Sequence, residues 1–317
     1  MAPPISQIIG STYDDVVNEK KGAADQWSDS SFLKALEKLG GVKRTAGGAT
    51  LQLTLDYQAN PAVDFLATDV TPTSTAKTDV LTAASYPFIP LVSPMNWTLF
   101  DEAINSEKNQ KVDLVDAIVS NGLRSHDQAV EVGFFALTAT DGFLSLPLLY
   151  PNDPTAAGTV GTIPSTELWW RSKAVDYGTA TGATLMGFYT ALYNSIKKGT
   201  SGRAPNVMVG SSVSNAVFEA ALVPNQRFEN VSTASGGFEA VQFKNIPFLY
   251  TSAYTGKNVW MFHTSDTQLF VVESAWRSRR EAIEHVNAAM MNMKIFSVLQ
   301  LATRNRSRGG VAWSIAP

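Results

Sequence analysis

The clearest strand signal in the chain is the alternation of three leucines, Leu51, Leu53 and Leu55, with polar residues. Neighbouring side chains of a strand point to opposite faces, so this period of two predicts a strand with one buried face. A turn-rich stretch follows, and the chain returns through a second apolar run at 84–92. We interpret residues 49–97 as a long two-stranded hairpin. Because a lone hairpin is only marginally stable in water, its exposed edges are expected to pair with another segment.

Helical spacing follows the hairpin. Residues that would share one helix face lie three, four or seven positions apart, at Val112, Val115, Val119, His126, Val130 and Leu137. This spacing predicts a helix from about Asp101 to Leu137, with acidic residues in its first turns, where the helix dipole favours them. At about 1.5 Å per residue, a continuous helix would span roughly 50 Å. Glycine destabilises the interior of a helix, so two shorter core helices, interrupted at Gly122 or Gly133, are the alternative.

The remaining patterns predict a short helix near the start and a compact α+β lobe. Ser30 and Gly40 flank an apolar helical pattern, as a serine cap and a glycine stop do. Residues 183–277 alternate between helical patterns and short apolar runs that are typical of strands. The apolar run at 293–304 predicts strands that return to pack on the long helix.

The composition is low in charge. Charged residues make up 17% of the 317 positions, against about 25% in typical globular domains. With 25 Lys and Arg against 28 Asp and Glu, the formal net charge is −3, and the absence of a long basic run disfavours a free-standing DNA-binding protein. No window approaches the roughly 18 apolar residues of a membrane span, and the absence of cysteine excludes disulfides and thiolate metal sites.

The sequence offers little for catalysis. The carboxylate pairs Asp14-Asp15 and Asp101-Glu102 lie in polar stretches, where nothing sets their pKa values apart. His126 shares the apolar helix face and is interpreted as a hydrogen-bonded core histidine. Metalloprotease, phosphate-loop and nucleophile-elbow motifs are absent. The sequence therefore favours a protein that is not an enzyme and needs no metal or cofactor; a hydrolase that uses Asp101 or Glu167 is the least favoured class.

A tryptophan pair and two basic clusters are the best candidates for contacts with other molecules. Adjacent residues of a strand point to opposite faces, so Trp169 and Trp170 would both be buried only at a lobe junction or a subunit contact. Alternation would place Arg304, Arg306 and Arg308 on one face of an extended segment. The negative net charge favours contact with other protein copies over nucleic acid. The predicted subunit contacts are Asn60, Pro61, Lys77, Trp169, Trp170, Arg277, Arg279, Arg280, Arg304, Arg306 and Arg308.

An ordered series of short motifs runs along nearly the whole chain, at residues 106–116, 140–143, 146–148, 161–164, 167–171, 205–209, 227–229, 237–247 and 300–306. In this order and spacing, the motifs resemble the major capsid proteins of tailed bacteriophages, which have the Hong Kong 97-type fold. The resemblance implies an α+β architecture. Its implied parts are an N-terminal arm at 1–48, an extended loop at 49–97, a peripheral domain with a long spine helix at 98–182, an axial domain at 183–276 and a return into the peripheral domain at 277–317.

The resemblance also implies a structural function. Members of that family self-assemble into hexamers and pentamers that close an icosahedral shell around double-stranded DNA, so the chain is expected in the virion, after assembly in the host cytoplasm. The implied partners are other copies, a separate scaffolding protein, a portal and DNA contacted without sequence specificity, with a decoration protein left open. A subunit whose surface is covered by neighbours needs few charged residues. The alternative is the shell protein of a bacterial encapsulin-like nanocompartment with the same fold.

Some family members join a lysine of the extended loop covalently to an asparagine of a neighbouring subunit. Lys77 is the only lysine between Thr45 and Phe100, and it matches no motif of this series. Covalent cross-linking is therefore not predicted.

Overall fold

The computed structural model describes residues 27–60, 63, 78–104, 114–178, 182–200, 202–222, 242–285 and 288–313. The helices in these ranges are α1 (Ser31–Lys38), α2 (Leu99–Ile104), α3 (Leu114–Phe135), α4 (Leu146–Leu149), α5 (Gly182–Lys197) and α6 (Ser212–Leu222), with a 3₁₀ helix at Arg306–Arg308. The strands are β1 (Val42–Thr45), β2 (Thr50–Asp56), β3 (Leu81–Pro87), β4 (Ile89–Thr98), β5 (Thr159–Val160), β6 (Ile163–Pro164), β7 (Lys173–Asp176), β8 (Val207–Ser211), β9 (Gln242–Phe243), β10 (Ile246–Thr251), β11 (Val259–Phe262), β12 (Thr267–Val272), β13 (Ser278–Glu284), β14 (Met290–Thr303) and β15 (Gly310–Trp313). Within these ranges, the chain contains no helix with the length and apolar character of a membrane span.

A five-stranded sheet is organised around β14. One edge of β14 pairs with β4 in antiparallel register along the whole of 89–98. Its other edge pairs first with β13 and then with β12, and β1 extends the sheet parallel to β12. Helix α3 packs across β4 and β14, with an apolar cluster formed by Met95, Val119 and Ile295. The long helix predicted from the sequence therefore covers one face of this sheet.

A second, six-stranded sheet has the order β7-β15-β11-β8-β10-β9. Helices α5 and α6 pack against it through aromatic side chains. The ring of Phe218 stacks on Phe248 at a centroid distance of 5.4 Å and meets the edge of Tyr189 at 5.8 Å. Aromatic pairs with this geometry contribute about 0.5–1.5 kcal/mol beyond the burial of their surface. The rings therefore fix how the two helices sit on the sheet.

The two sheets share one hydrophobic core. At the carboxyl end of α3, the ring of Phe135 lies 5.8 Å from Trp260 of the six-stranded sheet. One residue earlier, Phe134 makes an edge-to-face contact with Phe32 of α1 at 5.4 Å. The same cluster continues into β12 and β14 of the five-stranded sheet. The end of α3 is therefore the place where both sheets and α1 are joined.

Most of the elements predicted from the sequence are confirmed. The base of the predicted hairpin is β2 and β3, which pair from Thr50 opposite Pro87 to Asp56 opposite Leu81. The prediction extended the hairpin to residue 97, which is wrong for 89–97, because these residues belong to β4 and pair with β14. The helix predicted from 101 to 137 contains α2 and α3, while 105–113 lie outside the described residues. Helix α3 ends at Phe135, two residues earlier than predicted.

The last strands differ from the expectation in their partners. Strands β13 and β14 lie in the sheet that carries α3, as expected, but β15 pairs with β7 and β11 in the six-stranded sheet. Conversely, β12 falls in the range 183–276 and pairs with β14 in the five-stranded sheet. An apolar run predicts that a strand is buried, but it does not predict which strand pairs with it.

A buried carboxylate holds the start of α1. Glu131 of α3 is 0% exposed and accepts hydrogen bonds from the backbone N–H groups of Phe32, at 3.2 Å, and Leu33, at 3.0 Å. The hydroxyl of Thr251 on β10 donates to the same carboxylate at 2.6 Å. Burial raises the pKa of Glu131, and the three hydrogen bonds oppose that rise. The predicted cap, Ser30, makes no side-chain capping bond, because Glu131 already accepts from the first turn.

We expect Glu131→Gln to destabilise the protein. The amide keeps one oxygen acceptor but turns an N–H₂ group toward donors that need an acceptor, and a buried donor without a partner costs about 1–3 kcal/mol. Glu219→Gln is the matched control, because Glu219 is exposed and accepts a hydrogen bond from Asn215 of its own helix; its effect should stay below about 0.5 kcal/mol. Urea unfolding of the unassembled protein gives both values, and equal effects of the two substitutions would contradict the bridging role of Glu131.

Candidate functional site

The hairpin of β2 and β3 is fixed to the body of the protein at its base. Leu53, Leu55, Ala84 and Tyr86 form its buried face and belong to the shared core. The hydroxyl of Tyr86 donates to the carbonyl of Thr303 at 2.9 Å. Burial raises the pKa of Tyr86, so the phenol stays protonated and keeps this bond. These contacts therefore fix the base of the hairpin against the five-stranded sheet.

The loop at 158–170 supports the outer side of this base. The N–H of Ser85 donates to the carbonyl of Gly161 at 3.0 Å. Gly161 has a positive φ of 63°, and a Cβ at this position would lie 2.8 Å from the ring of Tyr86. Both the backbone conformation and the close approach require glycine here.

The two tryptophans were predicted to lie on a strand, but they lie in a turn of this loop. Trp170 is 1% exposed and donates its indole N–H to the carbonyl of Val160 at 3.1 Å, so it is a core residue and the prediction of a subunit contact is wrong for it. Trp169 is half-buried and lies 5.5 Å from the ring of Tyr57, just beyond β2. Its indole N–H donates to Glu167 at 3.0 Å, which gives that carboxylate a structural partner.

Beyond its base, the hairpin is held by local polar bonds. The side chains of Tyr57 and Gln58 both donate to the carbonyl of Asp79, at 3.0 and 2.7 Å. The hydroxyl of Thr78 donates to the side-chain oxygen of Asn60 at 3.3 Å. Pro61 and Lys77, two further predicted contacts, lie outside the described residues. Because these bonds lie within the hairpin, they leave its outer surface open to other molecules.

The first arginine cluster divides into an internal part and an exposed part. Arg277 forms ion pairs with Asp127 at 2.8 Å and Glu37 at 3.1 Å, so it bridges α3 and α1 within the subunit, and its subunit contact stays a prediction. Arg279 and Arg280 are exposed on β13, which is an edge strand of the five-stranded sheet. These two arginines remain candidates for contacts with another molecule.

The second arginine cluster does not share one extended face, so that prediction is wrong. Arg306 and Arg308 lie in a 3₁₀ helix, where successive side chains point in directions about 120° apart. Arg306 is 2% exposed and donates from Nε to the carbonyl of Leu149 at 2.7 Å. Burial lowers the pKa of Arg306. Arg304 is exposed and Arg308 is half-buried, so only these two can reach another molecule.

His126 is a hydrogen-bonded core histidine, as predicted. It is fully buried beneath β4 and β14, with Nδ1 2.9 Å from the hydroxyl of Ser93 and Nε2 2.7 Å from the hydroxyl of Ser297. Burial lowers the pKa of His126; neighbouring Arg277 lowers it further, while Asp127 opposes the shift. The neutral ring therefore joins the helix to the two strands.

The candidate carboxylates have structural partners. The backbone N–H of Asp101 donates to the hydroxyl of Thr98, which in turn donates to the carboxylate of Asp101 at 2.6 Å, and this arrangement caps the start of α2. Glu102 accepts the indole N–H of Trp97 at 3.1 Å. The other predicted pair, Asp14-Asp15, lies outside the described residues. Among the described residues, no group of three or more His, Asp or Glu side chains is arranged to hold a metal ion.

One apolar cavity of about 100 Å³ lies between β4, α3 and residues 140–143. Its described lining includes Ile89, Val130 and Phe143, and Asp141 is the carboxylate among these lining residues. A catalytic pocket needs several polar groups that converge on one reacting atom. Because its lining is mostly apolar, we interpret this cavity as a packing gap in the hydrophobic core.

Glu131 and Asp29 were not predicted from the sequence as structural carboxylates. The carboxylate of Asp29 accepts the N–H groups of Ser31 at 3.1 Å and Ser252 at 2.8 Å, next to the bonds made by Glu131. A usable signal was present for Glu131, because it lies between Val130 and Phe134 on the apolar part of a helix where a charge needs a buried partner.

Neither a protein-family model nor a curated protein matches this sequence. Solved structures do match the fold from end to end. A subunit of the cyanophage A-1(L) capsid superposes with a TM-score of 0.67 at 13% identity, covering 93% of this chain and 95% of that chain. The SrpI encapsulin of Synechococcus elongatus PCC 7942 matches with a TM-score of 0.62 at 10% identity, covering 96% of both chains. The capsid of a native GTA particle matches with a TM-score of 0.62 at 9% identity, covering 96% of this chain and all of that chain.

These likenesses show that the chain shares its architecture with these capsid and encapsulin subunits. The chain has the Hong Kong 97-type fold, as the motif series implied, and the predicted fold class is confirmed. Phage capsids predominate among the matching structures, alongside the encapsulin.

We expect Gly161→Ala to loosen the base of the hairpin. The added methyl group meets the ring of Tyr86, and the positive φ strains an L-residue. Hydrogen exchange at the amide of Ser85 should become faster by at least about tenfold, which corresponds to a loss of about 1.4 kcal/mol. Gly158→Ala in the same loop is the control, because its Cβ would meet nothing within 4 Å. Unchanged exchange in Gly161→Ala would contradict this support.

The stability contributed by neutral His126 should depend on pH. Because its folded pKa lies below the ordinary value of 6.5, the unfolded chain takes up a proton at a higher pH than the folded chain does. The contribution is complete above pH 6.5 and is lost as the pH falls toward the folded pKa. The free energy of unfolding should therefore fall more steeply below this pH in the wild type than in His126→Gln. Parallel curves from pH 7.5 to pH 5 would contradict the assignment.

Proposed function

We propose that the chain is the major capsid protein of a tailed bacteriophage, which assembles into hexamers and pentamers that form the icosahedral head around the genome. The observation that carries this proposal is the end-to-end match to a cyanophage capsid subunit, which covers 93% of this chain and 95% of that one. The matching structures are subunits of shells, which supports a structural function. The function proposed is structural, and no catalytic role is assigned.

The surface of the hairpin supports this proposal. Leu81, at the far end of the base, is 59% exposed, and Leu168, beside Trp169, is 74% exposed. Exposed apolar side chains that lie close together are typical of surfaces that another protein covers. Burial of apolar surface contributes about 25 cal/mol per Å², so several such contacts in each subunit add up across a shell.

Each of the two sheets is proposed to form one domain of the subunit. The hairpin is proposed to extend over a neighbouring subunit, the five-stranded sheet with α3 to form the peripheral domain, and the six-stranded sheet with α5 and α6 to form the axial domain around the centre of each capsomer. Residues 1–48 are proposed as an arm toward neighbours. A separate scaffolding protein, a portal and a position in the virion after assembly in the host cytoplasm belong to the same proposal.

The second candidate is the shell protein of an encapsulin-like nanocompartment. The likeness to the SrpI encapsulin, with a TM-score of 0.62 over 96% of both chains, supports it. The contents of the particle distinguish the two candidates. A head filled with DNA supports the capsid, and an assembled shell with an enzyme as cargo supports the nanocompartment.

We expect the purified protein to form capsomers or closed shells that negative-stain electron microscopy detects. A variant that lacks residues 60–75 should keep the fold and lose shell formation, because the hairpin would no longer reach a neighbouring subunit. Its unfolding midpoint and circular dichroism, compared with the wild type, establish that the rest of the chain is intact.

Two results would count against this assembly. A monomer at every concentration in sedimentation would contradict the proposed function. Normal shells from the variant that lacks residues 60–75 would contradict the role of the hairpin and leave the shell function standing.

A further inference from the structure

A chain of polar contacts runs from the buried ring of His126 to the first helix. His126 lies on α3, and its Nε2 is 2.7 Å from the hydroxyl of Ser297 on β14. The same hydroxyl accepts the backbone N–H of Arg277 at 2.9 Å. The side chain of Arg277 in turn forms ion pairs with Asp127 of α3 and Glu37 of α1. The buried ring and α1 are therefore joined through one turn of the chain.

The turn that contains Arg277 depends on these contacts. Arg277 lies between β12 and β13 with a positive φ of 50°, a conformation that residues other than glycine rarely adopt. Its guanidinium carbon lies 4.6 Å from the centre of the Trp276 ring. A strained residue keeps such a conformation only while its surroundings hold it. Here the hydroxyl of Ser297 holds the backbone of Arg277, and the two carboxylates hold its side chain.

The donors and acceptors around the ring determine which nitrogen carries its proton. The hydroxyl of Ser297 is fully buried and accepts from Arg277, and in the described part of the chain its other contact is Nε2 of His126. A buried hydroxyl proton needs an acceptor, and Nε2 is the acceptor within reach. Ser297 therefore donates to Nε2. The proton of the neutral ring then lies on Nδ1, which donates to the hydroxyl of Ser93 at 2.9 Å.

A second proton on the ring does not fit this arrangement. Both nitrogens of the charged imidazolium are donors, so Nε2 would turn an N–H group toward Ser297. The hydroxyl proton of Ser297 would then lose its acceptor in a buried place, which is unfavourable. If the turn that contains Arg277 moves away, Ser297 is freed from one of its two donors and water can reach its hydroxyl.

The charges around the ring act in the same direction. The strands β4 and β14 face the ring with the hydroxyls of Ser93 and Ser297, and the charged groups that influence it are Asp127 and Arg277. Burial lowers the pKa of His126; the carboxylate of Asp127 opposes this shift and the guanidinium of Arg277 adds to it. An imidazolium would therefore repel Arg277 and attract the carboxylate that now pairs with it.

We propose that His126 is a proton-operated switch: when the ring gains its second proton in weakly acidic solution, the turn that contains Arg277 moves away from Ser297 and the attachment of α1 to α3 weakens. The switch lies within one subunit, so it does not depend on the proposed function. Because α1 lies within residues 1–48, protonation would loosen the segment that is proposed to reach neighbouring subunits.

The first test measures hydrogen exchange at the amides of α1 in the unassembled protein between pH 7.5 and pH 5, the range in which histidine titrates. After correction for the intrinsic pH dependence of exchange, protection of these amides should fall by about tenfold in the wild type, while amides of β8 keep their protection. In His126→Gln, the protection of α1 should stay constant. The carboxylates of Asp29 and Glu131 also hold α1, but both are present in the variant, so the difference reports on His126.

The other two histidines supply the controls. His285→Gln changes an exposed residue next to the end of β13 and should keep the wild-type fall in protection. His263 is half-buried beside Thr264, whose hydroxyl donates to the carbonyl of Leu39 at the end of α1. A fall that disappears in His263→Gln and persists in His126→Gln would overturn the proposal. An equal fall in α1 and β8 would also overturn it, because the acid would then destabilise the whole fold.

Nitrogen NMR of the histidine rings gives a second test, which does not require the His126→Gln variant to fold. Neutral His126 should carry its proton on Nδ1, and a proton on Nε2 would contradict the proposed switch. Glu37→Gln breaks the contact with α1 and should raise the pKa of His126, because coupling between two sites is reciprocal. Direct electrostatics predicts the opposite sign, since removal of a negative charge lowers the pKa of a histidine. A lowered or unchanged pKa in Glu37→Gln would therefore overturn the coupling.

Discussion

The pairing of β14 is the constraint on which the rest of the described structure depends. Its backbone is hydrogen-bonded along both edges, to β4 on one side and to β13 and β12 on the other. In this register, Ile295 meets the apolar face of α3, and Ser297 meets the ring of His126. A shift of one residue would turn these side chains to the opposite face. The position of α3, and of the core at its end, therefore follows from one strand register.

The sequence predicts elements well where the information is local. The alternation at 51–55 gives β2, and the apolar spacing through Val119, His126 and Val130 gives α3, because a strand or helix face repeats within a few residues. Partners of β15 and β12 were not predictable in this way, since pairing joins residues far apart in the chain. Trp170 and Arg306 show the same limit. Both were interpreted as parts of extended segments, whereas the fold places Trp170 in a turn and Arg306 in a 3₁₀ helix, and both are buried.

Charge has two distinct roles in this low-charge chain. Inside, Glu131 and the ion pairs of Arg277 connect α1 and α3, at positions that local patterns did not reveal. Outside, Arg279 and Arg280 are exposed on β13, and the apolar side chains of Leu81 and Leu168 are exposed near the hairpin. The fold was needed to identify the candidate surfaces, because it shows which cations are buried and which are exposed.

The wide sequence separation of the key contacts has a consequence for synthesis of the chain. Thr45 bonds to the carbonyl of Val271, 226 positions away, and Tyr86 bonds to Thr303, 217 positions away. Folds dominated by such non-local contacts have high contact order and form slowly. A nascent chain cannot complete the five-stranded sheet or seat the hairpin until β14 has left the ribosome. Neighbouring chains translated from one messenger RNA therefore lack a completed hairpin base during most of translation. The hairpins can associate with other subunits only after synthesis is nearly complete.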